Sequence, residues 1–429
     1  MEVSEVYKRT EIGVIPLEWD VKRLEEMTVL MTNGFVGAAK RHYVENDIGI
    51  LYIQGFNVEE NSFNFQGIKR VSVDFHRKNK KSCLHEDDLL TVQTGDVGLT
   101  TVVPKELEGV NCHALIISRF QKEKYLPKFY SFYFNSYIGR TRLKEIETGT
   151  TMKHINVGTL KYFLVPIPTY PEQQAIAEAL SDVDDLISSL TKLINKKKNI
   201  KQGTTQELLT VKKRLEGYSG EWVKKTLGDL FDFYGGYSAS RSQLSAEGYC
   251  YLHYGDIHGS NKQFIDVENE YMGIPKLDIP LSKITKEKML QDGDIVFVDA
   301  SEDDEGTSRH IVVCNPNGVP FISGLHTIVA KGKDGVLNKK FRQYCFQSDD
   351  IKKQFKFYAA GTKVSGISRS NIAKIELSFP ISIEEQIAIA NILSDMDAEI
   401  EALEQKLNKY KAIKQGMMQE LLTGKIRLI

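Results

Sequence analysis

Thirty-nine residues of this chain are written twice. Glu172–Thr210 aligns without a gap to Glu385–Thr423, from "EQQAIAEALSDVDDLI" against "EQIAIANILSDMDAEI" to "KQGTTQELLT" against "KQGMMQELLT". Gln173/Gln386, Ser181/Ser394, Asp182/Asp395, Asp184/Asp397, Leu190/Leu403 and Gly203/Gly416 are identical, and well over half of the positions match. A duplication on this scale requires a fold assembled from repeated parts. Neither copy has an internal Pro, and each shows apolar residues at 3-4 spacing. The series are Ile176, Leu180, Val183, Ile187, Leu190, Ile194 and Ile389, Leu393, Met396, Ile400, Leu403, Leu407, Tyr410. This is a heptad seam. It predicts two helical rods of roughly 60 Å, longer than a small domain can cover.

Charge suggests how the rods pair. The first is acidic at its start (Glu172, Glu178, Asp182, Asp184, Asp185) and basic after Lys192 (Lys196, Lys197, Lys198, Lys201, Lys212, Lys213, Arg214). The second repeats this, from Glu384, Glu385, Asp395, Asp397 and Glu399 to Lys406, Lys409, Lys411 and Lys414. Acid first and base last suits each helix macrodipole. It also favours antiparallel pairing, in which each acidic half lies beside a basic half. The lysine-rich halves are alternatively a solvated face, a partner surface or a contact to DNA phosphates.

The remaining segments echo each other more faintly. Each opens with a Trp and an amphipathic stretch (Trp19, Trp222) and continues to a Gly turn, "TNGF" or "YGGYS". Two β-like runs with polar tips follow: "ILYIQGFNV" and "DDLLTVQTGDVGLTTVV" in the first, "YLHYGDIHG" and "GDIVFVDASEDDEGTSRHIVV" in the second. Each has an aromatic stretch read as core (Leu126–Ser136, Asn338–Ser348). Each closes on a Gly-Thr loop and a strand into Pro (Gly149–Pro168, Gly361–Pro380). The expected fold class is α/β (α+β): two globular heads, separated and followed by long helices that pair as an antiparallel coiled coil with a pseudo-twofold repeat. The expected boundaries are 1–170 for the first head, 171–214 for the central spacer helix, 215–381 for the second head and 382–429 for the C-terminal spacer helix.

Composition narrows the class. The 429 residues are 41% hydrophobic and 26% charged, as in a globular protein of two or more domains. No run of about eighteen apolar residues supports a membrane span, and "MEVSEVYKRTEIG" lacks the features of a signal peptide. The five cysteines are scattered without a CxxC pair, which suits free thiols in a reducing cytoplasm. A net charge of −1 argues against a simple basic DNA-coating protein, though not against local basic groups.

"TEIGVIPLEW" (Thr10–Trp19), the "PIP…PEQQ" leading into the first rod, "SFPISIEEQ" leading into the second, the terminal "QELLTGKIRL" and the duplicated layout together resemble the specificity subunit of Type I restriction–modification systems. The resemblance covers essentially the whole chain, with one departure: the second head starts with "EGYSGEW" rather than a second "TEIGVIPLEW". It implies that each head is a target recognition domain reading one half of an interrupted, asymmetric site in double-stranded DNA. It implies that the paired rods fix the gap and help dock two modification (methyltransferase) subunits, with restriction (translocase and nuclease) subunits joining them. S-adenosylmethionine, ATP and magnesium belong to those partners, and this chain binds no cofactor and does no chemistry.

The residues agree with that last expectation. "AAGTKVSG" (Ala359–Gly366) lacks phosphate-loop spacing. "NPNG" (Asn315–Gly318) fails as the Asn/Asp-Pro-Pro-Tyr/Phe loop of an amino-methyltransferase. The acidic "DASEDDEG" (Asp299–Gly306) lacks EF-hand spacing, and the nine histidines form no HExxH. Base reading needs directional donors and acceptors on loops of a rigid scaffold. In the first head these are Gln54, Asn57, Gln93, Thr94, Lys153, His154 and Asn156. In the second they are Arg241, Tyr254, Asp256, Ser301, Lys363, Ser365, Arg369 and Ser370. The rival expectation is a two-headed coiled-coil adaptor that binds no DNA.

Overall fold

The two copies of the repeat form a central helix, Tyr170–Leu209, and a C-terminal helix, Ile383–Leu421. The computed structural model describes residues 6–45, 48–260, 262–301, 309–333, 335–359 and 365–428. The chain divides into two compact units, residues 1–191 with 405–429 and residues 192–404. Each unit therefore holds the first half of one long helix and the second half of the other. Among the described residues, no helix is long and apolar enough to cross a membrane.

Within each unit the helix halves run antiparallel. In the first, Lys414 pairs with Asp184, and Arg427, just past the C-terminal helix, pairs with Glu172 near the start of the central one. In the second, Lys201 meets Asp397 at 2.5 Å, Lys197 meets Glu399 at 2.6 Å and Lys198 meets Glu404 at 2.6 Å. Acid lies beside base, as the charge pattern predicts. The four lysine pairs are partly exposed and contribute about 1 kcal/mol each at most, so they choose the direction of pairing. The buried seam residues, including Leu190, Ile194 and Ile400, contribute most of the holding.

A clasp built from one Trp, one Glu and one Arg closes each unit. Trp19 is fully buried, and its indole N–H donates to Glu172 Oε2 at 2.9 Å. Arg427 donates to both oxygens of that carboxylate, Nε at 2.5 Å and Nη2 at 2.9 Å. In the second unit, Trp222 Nε1 donates to Glu385 Oε1 at 3.3 Å, while Arg214 Nε and Nη2 reach the two oxygens at 3.1 and 2.9 Å. The neighbouring glutamines do matching work. Gln173 accepts from the Leu126 N–H and donates to the Pro168 carbonyl; Gln386 accepts from Asn338 and donates to Pro380. The "EQ" that opens each helix thus joins three things: the head's first Trp, its closing strand and the start of its aromatic stretch.

The heads share a topology. The first carries a four-stranded antiparallel sheet in the order Thr100–Val102, Leu89–Val92, Leu115–Phe120, Thr28–Asn33. The second repeats it as His310–Cys314, Ile295–Val298, Thr327–Gly332, Phe231–Gly235, and adds Phe264–Asp266 in parallel at the edge. Strands Leu89–Val92 and Ile295–Val298 are buried at every position, so neither alternates: the second is wholly apolar and the first is apolar but for the buried Thr91. A smaller sheet follows in each head, where Ile50–Ile53 pairs in parallel with Asn111–Cys112, and Tyr249–Leu252 with Phe321–Ser323. The aromatic stretches are core: Phe129, Tyr130, Phe132 and Phe134 in one head, Phe341, Tyr344 and Phe346 in the other. One tip differs from expectation. The polar end of "YLHYGDIHG" is a short helix, Tyr254–Gly259, because the His253 side chain caps it by accepting the Gly255 N–H at 3.1 Å.

Candidate nucleic-acid interface

In the first head, three loops meet. Gln54 precedes the tight turn Gly55–Asn57. A side chain at Gly55 would touch Val92 and the Thr94 carbonyl, at 3.5 and 3.6 Å, so this turn lies against the 93–95 loop. Thr94 forms a bridge with His154, and the Ile155 N–H donates to the Gln93 carbonyl at 3.1 Å. His154 is fixed from the other side by Thr148, whose Oγ1 lies 3.1 Å from Nε2. Gly149, at φ +95°, makes the turn between them, where a Cβ would strike the Met152 carbonyl. Gln54, Gln93, Thr94, Lys153, His154 and Asn156 therefore belong to one loop cluster. Thr94, Lys153 and Asn156 are exposed on it, and Gln54, Gln93 and His154 are half-buried.

The expectation that Asn57 faces outward is corrected. Asn57 is fully buried, accepting the Gln54 N–H at 3.0 Å and donating to the Asn64 carbonyl at 2.8 Å. It shapes the turn that presents Gln54 and the exposed Phe56.

In the second head the candidates gather round the helix Tyr254–Gly259. Arg241 Nη1 donates to Asp256 Oδ1 at 2.9 Å and lies 3.2 Å from His253 Nδ1. The Tyr254 ring lies tilted beside His253 (4.5 Å) and packs edge-on against His326 (5.4 Å). His326, at φ 57°, places Nδ1 3.2 Å from Asp299 Oδ1. The Asp299 carbonyl accepts the Ile367 N–H at 2.8 Å, which brings in the segment leading to Arg369 and Ser370. Both of these are exposed in the first turn of Arg369–Ile372, where Ser370 Oγ lies 2.9 Å from Ser368 Oγ. Ser301 and Ser365 are backbone register partners in a short antiparallel pair. Lys363 lies outside the described residues, as does the acidic loop from residue 302 onward.

The cluster also holds His253, His258 and His326, which the sequence does not single out, and Asp299, which opens the acidic stretch. The His258 Nε2 lies 3.4 Å from the Ala300 carbonyl. Burial holds the His253 imidazole below its ordinary pKa, which keeps it an acceptor. Among the described residues, no three His, Cys, Asp or Glu side chains are placed to hold a metal ion. Both clusters are polar and directional rather than uniformly basic, which suits contacts to base edges better than neutralisation of a phosphate backbone.

Comparison with known proteins bears on what these heads are. The family described as "Type I restriction modification DNA specificity domain" matches residues 16–202 and again residues 219–412. The putative type I restriction enzyme MjaX specificity subunit of Methanocaldococcus jannaschii is 24% identical over 446 residues, 99% of this chain and 97% of its own length. The MjaVIII specificity subunit of the same organism is 26% identical over 368 residues, 82% of this chain and 81% of its own. The crystal structure of the Type-I restriction-modification system S subunit from M. genitalium aligns with a TM-score of 0.57 at 16% identity, covering 94% of this chain and 96% of that one. This last likeness shows the fold.

Proposed function

The chain belongs to the Type I restriction–modification DNA specificity family, and from that premise we propose that it reads an interrupted, asymmetric site in double-stranded DNA, one half with each head. The observation that carries this reading is the pairing of sameness and difference. The heads repeat one sheet topology and one clasp, yet their loop clusters hold different residues: Gln54, Thr94 and His154 in one, Arg241, Tyr254 and His326 in the other. A repeated frame with divergent tips suits two half-sites of unlike sequence.

In this reading the antiparallel helices set the gap between half-sites. They also dock two modification subunits, with restriction subunits joining the assembly. Leu193 and Ile200, seven residues apart on the central helix, are exposed and offer apolar contact to such a partner. S-adenosylmethionine, ATP and magnesium act on the partners, and this chain contributes recognition and geometry without catalysis.

The test is to co-express the chain with its modification subunit and map N6-methyladenine across the host genome. The expected result is one motif, two short specific halves around a fixed gap. Background methylation alone, with an active and bound partner, would move the assignment to a coiled-coil adaptor that binds no DNA.

A further inference from the structure

Among the described residues, the guanidinium of Arg241 is held through one nitrogen only. Its turn, Arg241–Gln243, is fixed by Ser240, whose N–H donates to Gln243 Oε1 at 2.8 Å. Nη1 is engaged with Asp256 Oδ1 and faces His253 Nδ1. That imidazole nitrogen already accepts the Gly255 N–H, so it offers a lone pair to Arg241 and not a competing proton. His253 is 8% exposed, which makes it a fixed support. Arg241 itself is 63% exposed. The side of the fork formed by Nε and Nη2 has no partner among the described residues.

Building on the specificity-subunit reading, we propose that Arg241 reads a guanine in the half-site of the second head. Its Nε and Nη2 donate to the guanine O6 and N7, and Asp256 and His253 act as positioning residues. A guanidinium presents its donors in a rigid planar fork, and the O6/N7 edge in the major groove is its matching acceptor pair. The surroundings decide between guanine and phosphate, the other bidentate acceptor of arginine. Asp256 lies against Arg241, and Asp299 lies in the same cluster beside His326. Two carboxylates repel a phosphate, whereas the guanine edge carries no net charge. Asp256 Oδ2 is buried with no hydrogen-bond partner among the described residues, so Arg241 supplies the charge that offsets this carboxylate. The result is an arginine that is locally neutralised and oriented, which suits discrimination more than general affinity.

The experiment uses the full chain assembled with its modification subunit, on duplexes carrying the methylated motif. Each guanine is replaced in turn by 7-deazaguanine, which removes N7 and keeps base pairing. The wild-type assembly should lose affinity at one guanine by roughly threefold to tenfold, since the analogue removes one of the two acceptors of a bidentate base contact. Arg241→Lys should bind the unmodified site as weakly as wild type binds that substituted one, and show no further loss on substitution there. Asp256→Asn should shrink discrimination at the same guanine and at no other. A thermal melt of each variant checks that the head is folded, and Arg241→Ala gives a second reading if the Lys variant is unstable. The proposal is overturned if the motif contains no guanine whose N7 matters, or if the variants leave that guanine's effect intact. It is equally overturned if Arg241→Lys weakens all sequences alike with a shallower salt dependence, the mark of a phosphate contact. A wild-type assembly with no interrupted motif at all sinks the specificity-subunit reading itself, and that outcome is distinct from the other three.

Discussion

Val211 is the residue most at odds with its place. It follows the central helix at φ 60°, in the left-handed region that a β-branched side chain rarely occupies. The aligned position after the C-terminal helix is Gly424, at φ 70°. Both sites make the same helix-ending bond, from the Lys213 N–H to the Glu207 carbonyl and from the Ile426 N–H to the Glu420 carbonyl, each at 3.2 Å. Gly424 is further required by contact, since a Cβ there would strike Pro16 and Trp19. Val211 is 43% exposed, so its cost is conformational. Val211→Gly should stabilise the protein by about 0.5–1 kcal/mol, the left-handed strain relieved less the added freedom of glycine in the unfolded chain. Urea unfolding measures it, and a lower midpoint would show that Val211 makes contacts worth more than its strain. The same paired alignment, Glu172 with Glu385 and Arg214 with Arg427, held the clue to the clasps. Nothing local tells a reader that each Arg meets the Glu of the other copy, because that partnership exists only in the folded chain.

At the scale of elements, the rods were legible because two independent patterns agreed over 39 residues, the heptad seam and the division of charge. The loop clusters were partly legible. A polar residue in a Gly turn reads alike whether its amide points in or out, and this hid the inward role of Asn57. His326 sits alone in "FISGLHTIVA", with no spacing partner; only tertiary contact with Asp299 and Tyr254 gives it a place. The rods also yield a length prediction. Seven residues inserted after Thr191, matched by seven after Glu404, extend both helices by one heptad and keep the ion pairs of each unit in register. The added length is about 10 Å, or about three base pairs at ~3.4 Å each. Methylation mapping of the altered assembly should show the same two half-sites with a gap about three longer. An unchanged gap would remove the helices as its determinant.

For the molecule as a whole, acid should act through one shielded imidazole in each head, half-buried in the first and buried in the second. His113 lies 2.9 Å from the Tyr52 hydroxyl, and His253 accepts from Gly255. Burial lowers both below the ordinary value. The unfolded chain, with imidazoles near 6.5, then binds protons that the folded chain refuses. Between about pH 6.5 and the lower folded-state values, stability must therefore fall as pH falls; above about 6.5 the contribution is fully present. Thermal unfolding from pH 8 to pH 5 should show a melting temperature that declines once pH drops below about 6.5. His113→Asn should flatten part of that decline, and a melting temperature constant across the window would contradict the assignment.

The clasp also imposes an order on manufacture. Trp19 and Glu172 are made long before Arg427, which stands 255 residues beyond its carboxylate partner. At roughly 5–20 residues per second on the ribosome, that wait is about 13–50 s. The second clasp waits less, since Arg214 is already present when Glu385 emerges, 171 residues later. The first head to be synthesised is thus the last to be sealed, and a chain released early would display an open first head with Glu172 lacking its arginine.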